Sequence, residues 1–204
     1  MNGRKSSPAA QEERSRPATR NKTMTTKKNR PSWSDVKARL AGFDRAGLIG
    51  LVHDLYAASK ENQTFLHARF ALGDDVLQPY KSTLDRWLWP DAFKNQDTSV
   101  AKAKKAIADY RKAVGQPDGL AELMVFYCER AAGFSHDIGL QDEGYFDALV
   151  RMFGQALTAI AVLPDAARPA LLERLAVVRN ISRDLGYGVS DDMDELLEAH
   201  GGDD

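Results

Sequence analysis

Apolar side chains recur at every third or fourth position from Trp33 almost to the end of this 204-residue chain. No run alternates apolar with polar as a half-buried strand does. A period near 3.6 buries one face of a helix, whereas a period of two buries one face of a sheet. Leu48, Leu51, Val52, Leu55 and Tyr56 form one helical stripe, and Phe146, Leu149, Val150, Phe153, Leu157 and Ile160 form another. The pattern, with few β-branched residues, predicts an all-α fold.

Punctuation divides the chain into eight to nine helices. Ser34 is the expected cap of a short helix ending at Leu40, and Asp44 the cap of the next. A third helix is expected over 60–71 and a fourth over 75–88, with Pro79 in its first turn, where a missing N–H costs little. Trp89-Pro90 breaks the period. Thr98 or Ser99 then caps a fifth helix that Gly115-Gln116-Pro117 ends. A sixth is expected over 118–132, followed by a loop from Gly133 to Gly139. Asp142 opens a seventh that runs to Leu163, and Pro164-Asp165 begins an eighth with Leu171, Leu175, Val178 and Ser182 aligned. Gly186-Tyr187-Gly188 stops it with a turn that needs positive φ, and Ser190 caps a last helix from Met193 to Ala199.

Short connections favour antiparallel neighbours. The expected architecture is an antiparallel multi-helix bundle or a short α-solenoid, and no period of 20–50 residues establishes a repeat. Residues 33–200 are read as a single all-helical domain and 201–204 as a flexible C-terminus. Residues 1–32 contain no Leu, Ile, Val or aromatic. They cannot offset an ordering cost of about 1–2 kcal/mol per residue, so they are read as a disordered basic tail.

Charge is sorted by position. Residues 1–32 carry nine Lys/Arg against two Glu, and 81–112 carry eight against four; residues 113–204 carry six against seventeen acids. The net charge of −1 conceals a basic front and an acidic back, an asymmetry that points to interaction surfaces. On the fifth helix Val100, Ala103, Ile107, Tyr110 and Val114 form the expected core face. Lys102, Lys104, Lys105, Arg111 and Lys112 project away from it, with Lys81, Arg86 and Lys94 nearby in sequence and Tyr80, Trp87, Trp89 and Phe93 interleaved. Such cations can neutralise phosphates while an exposed aromatic stacks a base. The plainer reading is a solvated helix face with the tryptophans in the core. Asp191, Asp192, Asp194, Glu195 and Glu198 crowd the last helix, where the first three complement the helix dipole. That end can also meet a basic protein or a basic face of a second copy.

No motif names an activity. His53, His67, His136 and His200 form no i, i+4 pair able to grip a metal, and no phosphate-cradling glycine loop occurs. His136-Asp137, near Glu129, Asp142 and Glu143 in sequence, is the one conceivable metal or general-base cluster, against a loop tied by its own hydrogen bonds. The single Cys128, in an apolar run, reads as a buried small hydrophobe and argues for a reducing compartment. No stretch reaches the roughly 18 apolar residues of a membrane span, and the N-terminus lacks the apolar core of a secretory signal.

Two sequence patterns carry a resemblance. One is Leu48-Ile49-x-Leu51-Val52-x-x-Leu55-Tyr56, followed by Glu61-Asn62-x-x-Phe65-Leu66-x-Ala68-Arg69. The other is Asp184-Leu185-Gly186-Tyr187-Gly188, followed by Ser190-Asp191. Together they resemble a family of small bacterial all-helical proteins catalogued only as a domain of unknown function, over roughly residues 34–199. The resemblance implies an all-α fold and carries no catalytic residue.

The expected function is a cytoplasmic, non-enzymatic helical interaction or adaptor module without cofactor or metal, whose partner is a protein or a second copy. The alternative is nucleic-acid association through Lys81, Arg86, Lys102, Lys104, Lys105, Arg111, Lys112 and the basic tail.

Overall fold

The computed structural model describes residues 30–91 and 94–201. The tail up to residue 29, Phe93 and residues 202–204 lie outside the described residues. The fold is all-α: nine helices and no strand among the described residues. The helices are α1 (Trp33–Leu40), α2 (Arg45–Ala58), α3 (Lys60–Arg69), α4 (Gln78–Leu88), α5 (Val100–Ala113), α6 (Pro117–Ile138), α7 (Glu143–Ala161), α8 (Arg168–Ile181) and α9 (Val189–Gly201).

The chain divides into two units, one ending at Leu48 and the other beginning at Ile49. In the first, α1 begins at a capping box. Ser32 Oγ accepts from the Asp35 amide, and Asp35 Oδ2 accepts from the Ser32 amide at 2.7 Å. Ser32 takes the cap in place of the expected Ser34 because it alone is extended and has a carboxylate three places on. Asp44 Oδ1 accepts from the Gly47 amide at 2.7 Å, as its expected role requires.

The second unit is organised around α6. Gly119, Ala121, Leu123, Met124, Val125, Tyr127, Cys128, Ala131, Ala132, Phe134 and Ser135 are buried, so nearly its whole circumference is covered. It packs against α4, α5, α7 and α8. These are its neighbours one and two places along the chain, and they enclose α6 as the central helix of the packing. The α6–α7 hairpin turns within four residues. Gly139, at φ 64°, ends α6, and Asp142 Oδ1 caps α7 by accepting from the Tyr145 amide at 2.9 Å.

The expected loop over 133–139 is instead the last two turns of α6. Gly133 is there for contact. A Cβ at this position would sit 2.4 Å from Trp89 Cζ3, so only glycine lets the indole lie on the helix. Trp89 is further held by Phe134, and the Arg130 guanidinium lies 4.1 Å from its ring. Tyr145 Oη donates to the Leu88 carbonyl at 2.8 Å and ties α7 to the end of α4. Gly119 gives similar room, since a Cβ there would overlap Tyr110 Oη.

The start of α9 differs from expectation in the same way. Gly188, at φ 73°, makes the turn, and its carbonyl accepts from the Asp192 amide. The helix therefore begins at Val189 with Ser190 inside its first turn, and it runs on through Gly201. Cys128 is free and fully buried, and burial pushes its thiol pKa up.

Candidate interaction surfaces

The largest polar cluster lies on a half-exposed strip of α6. Arg174 of α8 binds Glu122 at 2.5 and 3.2 Å and Glu129 at 2.7 and 2.8 Å, and Lys81 of α4 reaches Glu122 at 2.7 Å. Burial pushes the Glu122 carboxyl up, but the hydrogen bonds from Arg174 and Lys81 outweigh it and hold its pKa below the ordinary value. Two cations meet two carboxylates, so the cluster fastens α4 and α8 to α6 and leaves no charge for a ligand. Beside it Arg130 pairs with Asp85 at 2.6 Å. Asp194, one of the acids crowding α9, is forked by Arg179 of α8, which holds its pKa below the ordinary range. Asp191, Asp192, Glu195 and Glu198 stay at the surface.

The seven basic residues singled out in the sequence do not form one face. Lys81 is committed to Glu122. Arg86 lies 4.4 Å from the Trp87 ring and reaches the Asp97 carbonyl. Lys102, Lys105 and Lys112 line a groove of about 660 Å³ between α3, α4 and α5, with Lys60, Trp87 and Tyr80 but also Glu61 and Asp109. There Lys105 pairs with Asp109 at 2.5 Å, and Lys102 sits 3.7 Å from the centre of the Trp87 ring. Lys104 and Arg111 point to the other flank of α5. Burial and the like charge of Arg151 of α7 hold the Lys104 ammonium below its ordinary range. The reason is angular: 102, 105, 109 and 112 follow one line down the helix, while 104 and 111 share a line on the far side. Of the expected core face, Ala103, Ile107 and Tyr110 are buried and Val100 and Val114 only partly. Trp87 and Trp89 are half-buried against the core.

The His136 cluster does not assemble. His136 is half-exposed on the last turn of α6, and its ring nitrogen lies 3.4 Å from its neighbour Asp137. Glu129 is taken by Arg174, and Asp142 by the α7 cap. Among the described residues no three His, Cys, Asp or Glu gather as metal ligands.

Sequence reasoning missed the most unusual surface. Nine of the fourteen residues of α2 are apolar, yet none is buried. In the second unit Ile49 is 60% exposed, Val52 45% and Leu55 51%. Phe70 and Leu72, which follow α3, are exposed as well. The other exposed large hydrophobics of that unit are Phe65 on α3, Ile138, Val162, Leu172, Val177 and Tyr187. Polar ties join α2 to α3: Asn62 Nδ2 donates to the Leu55 carbonyl, Gln63 Nε2 to the Tyr56 carbonyl, and Tyr56 Oη lies 3.1 Å from His67 Nε2. At 14 residues α2 is about 21 Å long, and no helix among the described residues is long and apolar enough to cross a membrane. Compared with known proteins, the chain matches no family model, no curated protein and no solved structure.

Proposed function

We propose that this chain is a non-enzymatic helical interaction module that docks a protein helix on the apolar stripe of α2, at Ile49, Val52 and Leu55. The observation that carries this reading is an apolar helix with no buried residue. Covering the exposed half of each of these side chains contributes about 1 kcal/mol apiece. Residues 1–32 hold no Leu, Ile, Val or aromatic to lay on the stripe, which favours cover by another chain. An amphipathic helix supplying apolar residues at i, i+3 and i+7 is the natural complement. The free, buried Cys128 favours a reducing, cytoplasmic setting.

Site-specific photocrosslinking tests it. A photoreactive residue at position 52 gives a discrete adduct in cells, with a partner protein or a second copy. The same residue at position 54, on the opposite side of α2, gives none. Absence of any adduct from position 52, or equal adducts from both, rejects the assignment.

One observation favours a second reading. Lys60, Lys102, Lys105 and Lys112 flank one groove, and four cations along a strip can track a phosphate backbone. Nucleic-acid association of this kind weakens steeply with salt. It is lost in a Lys102→Ala/Lys105→Ala/Lys112→Ala variant but not in Lys104→Ala/Arg111→Ala; binding that ignores both would reject it.

A further inference from the structure

A second groove, of about 660 Å³, lies on the far flank of α5, between α5, α6, α7 and α9. Its floor is apolar: Pro117, Leu120, Met124, Ala159, Val162 and Leu196. Its charged lining is of one sign. Arg111 and Arg151 face it with His200, and no carboxylate is among the described residues that line it. Arg111 has no hydrogen-bond or ion-pair partner among the described residues for its side chain. Arg151 has only a loose, exposed pairing with Asp147 at 3.4 Å. Next door, the Lys104 ammonium is disfavoured by burial and, to a lesser degree, by the positive charge of Arg151. Cations are therefore gathered beside an apolar trough whose described lining holds no carboxylate, an arrangement that an anion relieves.

The polar groups of the trough decide between kinds of occupant. Thr158 Oγ1 donates to the Gly154 carbonyl at 3.0 Å, His200 Nδ1 lies 2.8 Å from the Leu196 carbonyl, and the two side chains are 3.3 Å apart. Both are engaged, which leaves Gln155 as the one uncommitted neutral polar side chain. A peptide laid here would bring backbone N–H and C=O groups with few partners, at a cost for each left unmade. An aliphatic chain brings none. The volume is within the range of small-molecule sites, which are mostly apolar with a few convergent polar groups.

We propose that this groove binds a medium-chain fatty acid, its carboxylate on Arg111 and Arg151 and its chain along Leu120, Met124, Ala159 and Leu196. The site is separate from the α2 stripe, and neither depends on the other.

Titration calorimetry with dodecanoate below its micellar concentration tests the proposal on the full chain. Saturable one-to-one binding is expected. Arg111→Ala/Arg151→Ala weakens it by about tenfold or more, the loss expected for charge-assisted hydrogen bonds. Dodecanol, with the chain but no charge, binds correspondingly worse, and acetate, with the charge but no chain, does not bind. Ala159→Trp fills the trough and abolishes binding. Ile49→Glu/Val52→Glu leaves it intact, which separates this site from adsorption to α2. Both arginines reach solvent, so their variant keeps the wild-type helical spectrum. No saturable dodecanoate binding, or binding indifferent to the arginines and to the headgroup, overturns the proposal, as does loss of binding in the α2 variant.

Discussion

Gly133 shows what a single residue decides in this protein. In sequence, Gly133, Ser135, His136 and Asp137 look like a loop, because glycine and short polar side chains favour turns over helix interiors. In the structure they complete α6, since the hydrogen at Gly133 makes room for an indole supplied by Trp89, far away in the sequence. Local pattern carries no trace of that contact, so the end of α6 was not legible. Ser32 was misplaced for a smaller reason: two serines two places apart both suit a cap, and only the one with Asp35 at the third position closes the box. Helix propensity alone makes Gly133→Ala stabilising by up to about 1 kcal/mol. The ring contact reverses the sign. The variant loses about 1–3 kcal/mol, as overpacked cores do, read as a lower denaturant midpoint with an unchanged slope. A raised midpoint would mean that Trp89 does not rest on α6.

At the scale of elements, the helices were legible from period and punctuation, but the fate of their outer faces was not. A helical wheel gives α5 one core face and one solvent face. Tertiary neighbours cut that solvent face in two, with α3 and α4 on one flank and α7 on the other, so Lys102 and Lys104 have different surroundings. Lys81 reads as part of a basic stretch because its partner, Glu122, comes from another helix. The Lys81–Glu122–Arg174–Glu129 cluster has a pH signature. The folded-state pKa of Glu122 lies below its ordinary value near 4.5, so the unfolded chain takes up that proton first. The stabilisation is present above this range and is lost as the pH falls through the folded value. Arg174→Ala strips both glutamates of their main partner and costs about 1–3 kcal/mol at pH 7. The stability gap between wild type and Glu122→Gln, measured by thermal unfolding, closes between neutral pH and about pH 3. A gap that is constant with pH would show that the network contributes nothing through the charge of Glu122.

For the whole molecule, the all-α class followed from the absence of any two-residue period. The choice between bundle and solenoid did not, because a stripe says which face is buried and not against what. The structure supplies the partners: α6 is buried on nearly every side by α4, α5, α7 and α8. The same ambiguity hid the α2 surface. Its stripe reads like any core-facing stripe, and only the structure reveals that none of the described residues buries it. The sorting of charge into a basic front and an acidic back suggested interaction surfaces without saying where. The structure draws attention instead to an apolar helix and to a one-signed groove that charge counting along the sequence does not reveal.

The central claim is that α2 holds another chain. Its most direct test is the sedimentation of the protein in host lysate, wild type against Ile49→Glu/Val52→Glu. Because α2 has no buried residue, the variant keeps its fold and helical spectrum. The wild type is expected to sediment as an assembly larger than the 22.5 kDa monomer and the variant as the monomer. A wild type that sediments as a monomer, or a folded variant that keeps the larger assembly, would contradict the claim.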